Sequence, residues 1–217
     1  MYAAIASTKF HSLLAPFGVN PVISQEIFTD IASAYSSADR HYHNLTHILQ
    51  VLQIIDEMRL PAENPAALEF AAWFHDIIYD PKAKDNEEKS AEYATNILRI
   101  IKITSSTIDK VAKIILATKT HQAPDNDIDT YIFLDADLSI LGASSFEYHI
   151  YARAIRKEYS WLSEVEYRLG RIQVLQKFLK RERIYFNAQI FDTREIKARQ
   201  NIQTEIESLS AVNIKKM

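Results

Sequence analysis

Glycine is rare in this chain, where only three of 217 residues are glycine and six are proline. An all-β protein needs many tight turns, which depend on these two residues. The chain instead contains long stretches rich in Ala, Leu, Ile, Lys, Glu and Gln, most of which favour helices. The sequence therefore predicts an all-α fold. Its length and its 47% hydrophobic content suit a single helical domain with additional C-terminal helices.

The composition also excludes several classes of function. The formal net charge is −3, so the overall charge gives no support for nucleic-acid binding. The absence of cysteine excludes disulfides, thiolate metal sites and cysteine nucleophiles. No apolar stretch approaches the roughly 20 residues that a membrane-spanning helix needs, and the N-terminus lacks a signal-peptide pattern. We expect a cytoplasmic protein without a membrane partner, and the sequence leaves a homo-oligomer open.

An adjacent histidine and aspartate, His75 and Asp76, lie in the most apolar surroundings of the chain, residues 71–80. A carboxylate there is costly unless something compensates it, and both side chains are metal ligands. Alternatively, His75 bonds locally and Asp76 only ends a helix, whose start is predicted by Asn64 and Pro65. Successive helix residues point about 100° apart. His75 and Asp76 can therefore reach one ion only if it lies in a groove between this helix and its neighbours. The neighbouring helices would then have to supply further ligands.

Three of the seven histidines, His41, His43 and His47, form a cluster at the start of an amphipathic helical pattern. His43 and His47 are four residues apart, which predicts that they share one face of this helix. His47 is also in line with the apolar Val51 and Ile54, which turns it inward. An inward histidine is more often a hydrogen-bonded core residue than a ligand. The cluster beside a His-Asp pair favours the ligand.

Two aspartates, Asp135 and Asp137, are candidates for a further carboxylate ligand. The residues three and four positions from Asp137 are all apolar, whereas those around Asp135 are more polar. This pattern predicts that Asp137 is the buried carboxylate. A buried aspartate needs a partner, and a metal held with His47, His75 and Asp76 would supply one.

Two further stretches could border such a site or serve only the fold. The charged segment 82–89 is interpreted as a solvated loop in which Asp85 or Asn86 caps a helix; the alternative places Glu87 or Asn86 at the rim of the site. His121 ends a later helical pattern. It could interact with the helix dipole there, or it could reach a metal or a phosphate.

Two other charged segments are interpreted as structural and not as binding sites. Residues 125–129 are acidic but lack EF-hand spacing, so we interpret them as a loop. A basic region lies between Arg153 and Arg183; it could bind phosphate, but such runs on helices are usually solvated faces. Within it, Ser163 and Glu166 have the spacing of a capping box and predict a helix start.

The combination of His47, the His75–Asp76 pair and Asp137 on successive predicted helices resembles the HD superfamily of metal-dependent phosphohydrolases. Two longer motifs extend the resemblance. Residues 42–47, Tyr-His-Asn-Leu-Thr-His, resemble the Tyr-His-Asn-x-x-His signature of cyclic nucleotide phosphodiesterases. Residues 136–139, Ala-Asp-Leu-Ser, resemble the segment that carries their last ligand. The chain is too short for a phosphodiesterase catalytic domain and is more similar to small bacterial HD phosphohydrolases.

The resemblance implies both an organisation and a set of roles. It covers an HD-type catalytic core at residues 40–160, preceded by N-terminal helices at 1–39 and followed by C-terminal helices at 161–217 that pack on the core. His47, His75, Asp76 and Asp137 would bind metal. His43 and Asp76 would be catalytic, His43 by donating a proton to the leaving oxygen. Candidate substrate-binding residues are Arg40, Glu87, Lys119 and His121.

The implied reaction is metal-assisted hydrolysis of a small phosphate ester, with nucleotides as one candidate class. Mn, Fe, Co, Ni, Zn and Mg all remain open as the divalent metal. Relatives with two metals usually have additional histidines between the pair and the last aspartate, where this chain offers His121 alone, so we expect one firmly held ion. The alternatives are an HD-type di-iron oxygenase and a non-catalytic, metal-stabilised helical binding module, which would have no use for His43.

Overall fold

A computed structural model describes residues 2–58, 62–124 and 126–211. Every regular element within these residues is a helix, which confirms the predicted all-α fold. The α-helices are α1 (Tyr2–Leu14), α2 (Pro21–Ala34), α3 (Leu45–Met58), α4 (Pro65–Phe74), α5 (Asn86–Ile100), α6 (Ser105–Thr118), α7 (Ile128–Asp137), α8 (Ser145–Glu158), α9 (Glu164–Leu179) and α10 (Ala188–Ala211). Two 3-10 helices are Ala15–Phe17 and Leu138–Gly142. Asp125 of the predicted acidic loop and residues 212–217 of the predicted C-terminal region lie outside the described residues.

Side-chain caps start α4 and α9 as the sequence predicts, whereas the predicted cap of α5 is wrong, because its N-cap residue Asp85 forms no side-chain capping hydrogen bond. The Asn64 side chain accepts a hydrogen bond from the Ala67 amide at 3.1 Å, with Pro65 in the first turn of α4. Ser163 and Glu166 form the predicted capping box of α9. Each cap satisfies amides that the helix leaves without an internal partner. None of the described helices combines the length and the apolar character that crossing a membrane requires.

The chain forms two compact units, Met1–Ala136 and Asp137–Met217. In the first unit α4 is the central helix, because it contacts α3, α5 and α6. Seven of its ten residues are buried. Its Trp73 ring is fully buried and packs edge-on against Phe10 at 5.2 Å between ring centroids. A helix that is apolar all round is a core helix, so the residues that directly follow α4 begin inside the protein.

In the second unit α10 packs against α9 and against the 3-10 helix that follows Asp137. Gly142 ends this 3-10 helix, and a Cβ atom placed there would lie 2.6 Å from Arg194 Cβ and 2.7 Å from the Arg194 carbonyl oxygen. The Tyr185 hydroxyl donates to the Leu138 carbonyl at 3.0 Å. The Asn201 amide donates to two carbonyls at the other end, at 2.9 and 3.0 Å. The backbone directly after Asp137 is therefore held by close packing and by hydrogen bonds.

Candidate metal centre

His75 is the C-cap residue of α4 and is 2% exposed. Its Nδ1 atom lies 3.1 Å from the Ala72 carbonyl oxygen. Because a carbonyl can only accept a hydrogen bond, Nδ1 carries the proton, and in the neutral ring Nε2 is an acceptor. The Phe133 ring packs edge-on against the imidazole at 5.4 Å. A second hydrogen bond that fixes the tautomer and the ring orientation is typical of histidines that bind metal.

His47 comes from α3 and is equally buried, at 2% exposure. It lies on the face that carries the buried Val51 and Ile54, as the helical spacing predicts. Its Nε2 atom is 3.2 Å from the Nε2 atom of His75. Two nitrogens bound to one ion at about 2.1 Å and about 100° apart would be separated by about the same distance. The two imidazoles therefore meet with the spacing of two ligands of one metal.

Asp137 completes a group of three possible ligands. It is the last residue of α7, and one ligand atom each of His47, His75 and Asp137 lies within 4.8 Å of the others. This group could hold a metal ion. Two imidazole nitrogens and a carboxylate oxygen are a donor set that several divalent transition metals accept.

The prediction about aspartate burial is wrong. Asp135 is the fully buried carboxylate, at 0% exposure, whereas Asp137 is only half-buried. The prediction used neighbours on the same helix, but burial depends on which other elements cover each side chain. The lower burial of Asp137 is compatible with a ligand, because a metal site that turns over substrate has to keep a position open.

Asp76 lies beside both histidines. Its Oδ2 atom is 3.1 Å from His75 Nε2 and 4.0 Å from His47 Nε2, and one fifth of its side-chain surface is exposed. Burial by itself would raise the pKa of Asp76, but positive charge on the imidazoles of His75, His43 and His47, together with a hydrogen bond from the charged His75, outweighs burial and holds the pKa well below its ordinary value. The carboxylate is therefore ionised at neutral pH and can only accept hydrogen bonds. Its predicted roles as ligand and catalytic group remain predictions.

His43 precedes α3 rather than lying on it. The helix begins at Leu45, and the Asn44 side chain accepts from the Thr46 amide at 2.9 Å at this start. The prediction that His43 and His47 share a helix face is therefore wrong. The half-buried His43 ring is still close, with its centroid 5.8 Å from that of His47 and 4.4 Å from that of Tyr79. The turn before α3 thus places His43 beside the group of three possible ligands.

Arg40, a predicted substrate-binding residue, is 9% exposed. Its guanidinium donates to the Asp76 carbonyl at 2.6 Å, to the Ile77 carbonyl at 3.0 Å and to the His43 carbonyl at 3.2 Å. Three of its five N–H groups are therefore used by the backbone that carries the site residues. This geometry gives Arg40 a role that the sequence did not predict.

The other predicted substrate-binding residues lie on α5 or follow α6. Glu87 is half-buried in the first turn of α5. Lys119 directly follows α6, where it forms an ion pair with Glu88 and donates to the Lys84 carbonyl at 2.7 Å. His121 is half-buried with a left-handed backbone, φ 48°. Among the described residues, none of these three side chains belongs to the group of three possible ligands.

The sequence did not predict two side chains that hold distant backbone groups, Asn86 on α5 and Asp129 on α7. The Asn86 side chain bonds both the amide and the carbonyl of Asp80, at 3.1 and 2.8 Å, and so holds the turn after the His-Asp pair. Asp129, assigned to an acidic loop, is fully buried in the first turn of α7, and its carboxylate accepts from the Glu63 amide at 2.8 Å. Asparagine and aspartate commonly bond backbone amides, but no pattern in the sequence indicates amides this distant along the chain.

Comparisons of the chain with models of protein families, with curated proteins and with solved structures found no match.

Proposed function

We propose that this protein is a metal-dependent phosphohydrolase of the HD type that cleaves a small phosphate ester. The observation that carries the proposal is the meeting of two buried imidazoles, His47 and His75, whose Nε2 atoms are 3.2 Å apart beside the carboxylates of Asp76 and Asp137. Since His75 donates through Nδ1, its Nε2 atom accepts, and the two Nε2 atoms share either a proton that His47 donates or a cation. A cation bound at this position would also be close to both carboxylates.

His47, His75 and Asp137 would hold the ion, with Asp76 as a further carboxylate at its side. When bound, a divalent ion lowers the pKa of a water molecule towards neutrality and polarises a phosphoryl oxygen. The carboxylates of Asp76 and Asp137 would offset the charge of the ion. The hydrogen bond between His75 Nδ1 and the Ala72 carbonyl would keep this ring aimed at the ion.

His43 would act as the general acid. A histidine carries and releases a proton near neutral pH, and its half-buried ring lies beside the group and against the Tyr79 ring. In hydrolysis the oxygen of a water molecule bonds to phosphorus and this water releases a proton to the solvent, while the bond from phosphorus to the ester oxygen breaks. The departing ester oxygen would take the proton of His43, which lowers the barrier for its departure.

The test compares metal content with phosphate release. The protein is stripped with a chelator, reloaded with Mn²⁺, Fe²⁺, Co²⁺, Ni²⁺, Zn²⁺ or Mg²⁺, and assayed on nucleoside mono-, di- and cyclic phosphates and on simple phosphate esters. We expect His75→Ala to lose both metal and activity. We expect His43→Gln to keep the metal and to lose about 10²–10⁴-fold in turnover.

The matched control is His149→Gln, because His149 is an exposed histidine on α8 and should change neither readout. A protein with stoichiometric bound metal that releases phosphate from no substrate would contradict the proposal and would favour a metal-stabilised binding module. Paired iron together with oxygen consumption would indicate the oxygenase instead.

A further inference from the structure

Arg40 connects two turns, and the Asp76 carbonyl to which it donates lies 36 residues away in the sequence. Its Nη1 atom donates to the carbonyls of His43 and Asp76, and its Nη2 atom donates to the carbonyl of Ile77. The His43 carbonyl belongs to the turn that carries the proposed acid. The other two carbonyls belong to the turn that directly follows His75. One planar guanidinium therefore fixes the separation of these two turns.

Two aromatic rings hold this guanidinium in place, and the hydroxyl of one of them bonds the same turn. Its central carbon lies 4.7 Å from the centroid of the Tyr35 ring and 5.3 Å from that of the Tyr79 ring. The Tyr35 hydroxyl accepts from the Asp76 amide at 3.2 Å. Tyr35 is 1% exposed, so its ring is itself fixed by the core. Arg40 and Tyr35 together bind both the amide and the carbonyl of Asp76.

The position of Arg40 also suits its charge. The guanidinium lies just past the C-terminal end of α4, where the helix dipole and the free carbonyls favour a cation. A lysine would supply the charge but not the planar fork that reaches several carbonyls at once. The site therefore requires the shape of arginine as well as its charge.

We propose that Arg40 is a positioning residue, which sets the distance between the His43 turn and the His75–Asp76 turn and thereby shapes the metal site. It acts through these backbone carbonyls rather than by contact with substrate. The consequence for turnover rests on the phosphohydrolase function proposed above. The consequence for metal affinity does not depend on that function.

The test uses the full chain with Arg40→Lys, and with Arg99→Lys as the matched control, because Arg99 is exposed on α5. Thermal unfolding of the metal-free proteins first establishes that both variants are folded. Titration with Co²⁺ or Ni²⁺ then measures metal affinity in the folded protein. We expect the dissociation constant of Arg40→Lys to rise about 10-fold, as when partners around a metal ligand are lost, and that of Arg99→Lys to stay unchanged.

A rescue experiment separates positioning from loss of charge. Arg40→Ala removes the side chain, and guanidinium ions can take the place of its head group at concentrations far below those that unfold proteins. Guanidinium chloride should lower the metal dissociation constant of Arg40→Ala towards that of the wild type. Ammonium chloride at the same ionic strength should not, because ammonium has the charge without the planar fork.

The possible outcomes test the role of Arg40 and the proposed function separately. A folded Arg40→Lys protein with wild-type metal affinity overturns the proposal. If neither Arg40→Lys nor Arg40→Ala folds, Arg40→Gln gives the same readout because its amide keeps a donor but lacks the charge and the planar fork; an unchanged dissociation constant then overturns the proposal. If the wild type releases no phosphate, the proposed function fails while the metal titrations still decide the role of Arg40. If it does release phosphate, Arg40→Lys should lose about 100-fold in turnover, as a misplacement of about 1 Å can cause.

Discussion

Two glycines of the second unit should respond in opposite directions to the same substitution. Gly142 ends the 3-10 helix that follows Asp137, where an added Cβ would lie 2.6 Å from a side-chain atom and 2.7 Å from a backbone oxygen of Arg194. Both separations are far below van der Waals contact. The backbone oxygen cannot swing away as the end of a long side chain can. Gly142→Ala therefore forces a shift between α10 and the segment that follows Asp137.

Overpacking of this kind lowers the free energy of unfolding by about 1–3 kcal/mol. Gly170 lies in the interior of α9 with nothing within 4 Å of an added Cβ. Alanine is better than glycine in a helix interior by about 1 kcal/mol, so Gly170→Ala should stabilise the protein. The two substitutions add the same methyl group, so the difference between them isolates the packing at Gly142.

The assay is urea unfolding of wild type, Gly142→Ala and Gly170→Ala, followed by circular dichroism at the helical band. We expect midpoints below the wild type for Gly142→Ala and above it for Gly170→Ala. A Gly142→Ala protein whose free energy of unfolding lies within about 0.5 kcal/mol of the wild type, the usual range for surface substitutions, would refute the close approach to Arg194.

Two further measurements test the metal site and an ion pair. Co²⁺ or Ni²⁺ at 100 times its dissociation constant should raise the free energy of unfolding of the wild type by about 2.7 kcal/mol; an equal rise in His75→Ala would place the ion elsewhere. The second concerns Asp127, which accepts from the Thr130 amide and from Lys110, both at 3.0 Å. Burial raises the pKa of Asp127, but these bonds outweigh it and hold the pKa below its ordinary value. Since the folded-state pKa is the lower one, the stabilisation is full above the ordinary aspartate pKa of about 4 and is lost as pH falls through the folded-state pKa. The stability advantage of wild type over Asp127→Asn, measured by urea unfolding, should therefore shrink between about pH 6 and about pH 3; a constant difference would contradict this assignment.

Local features of the sequence determined the all-α fold and the starts of α4 and α9. Helical hydrogen bonds join residues four apart, and caps act over three residues, so the sequence near Asn64 and Ser163 contains all that a helix start needs. The inward direction of His47 follows in the same way, because Val51 and Ile54 lie on its own helix. The apolar run around His75 also indicated its burial, since a helix in the core is apolar on all sides and so are the residues next to it in the sequence.

Only the tertiary structure decided which polar groups those helices bring together. Arg40 bonds carbonyls 36 and 37 residues away, and nothing in its sequence neighbourhood indicates these partners. The relative burial of Asp135 and Asp137 depends on the elements that cover each side chain. The periodicity of α7 does not indicate which elements these are. The distance of 3.2 Å between the nitrogens of His47 and His75 likewise results from the packing of α3 against α4. Hydrogen bonds and metal ligation act over about 3 Å, so they depend on distances that sequence separation does not specify.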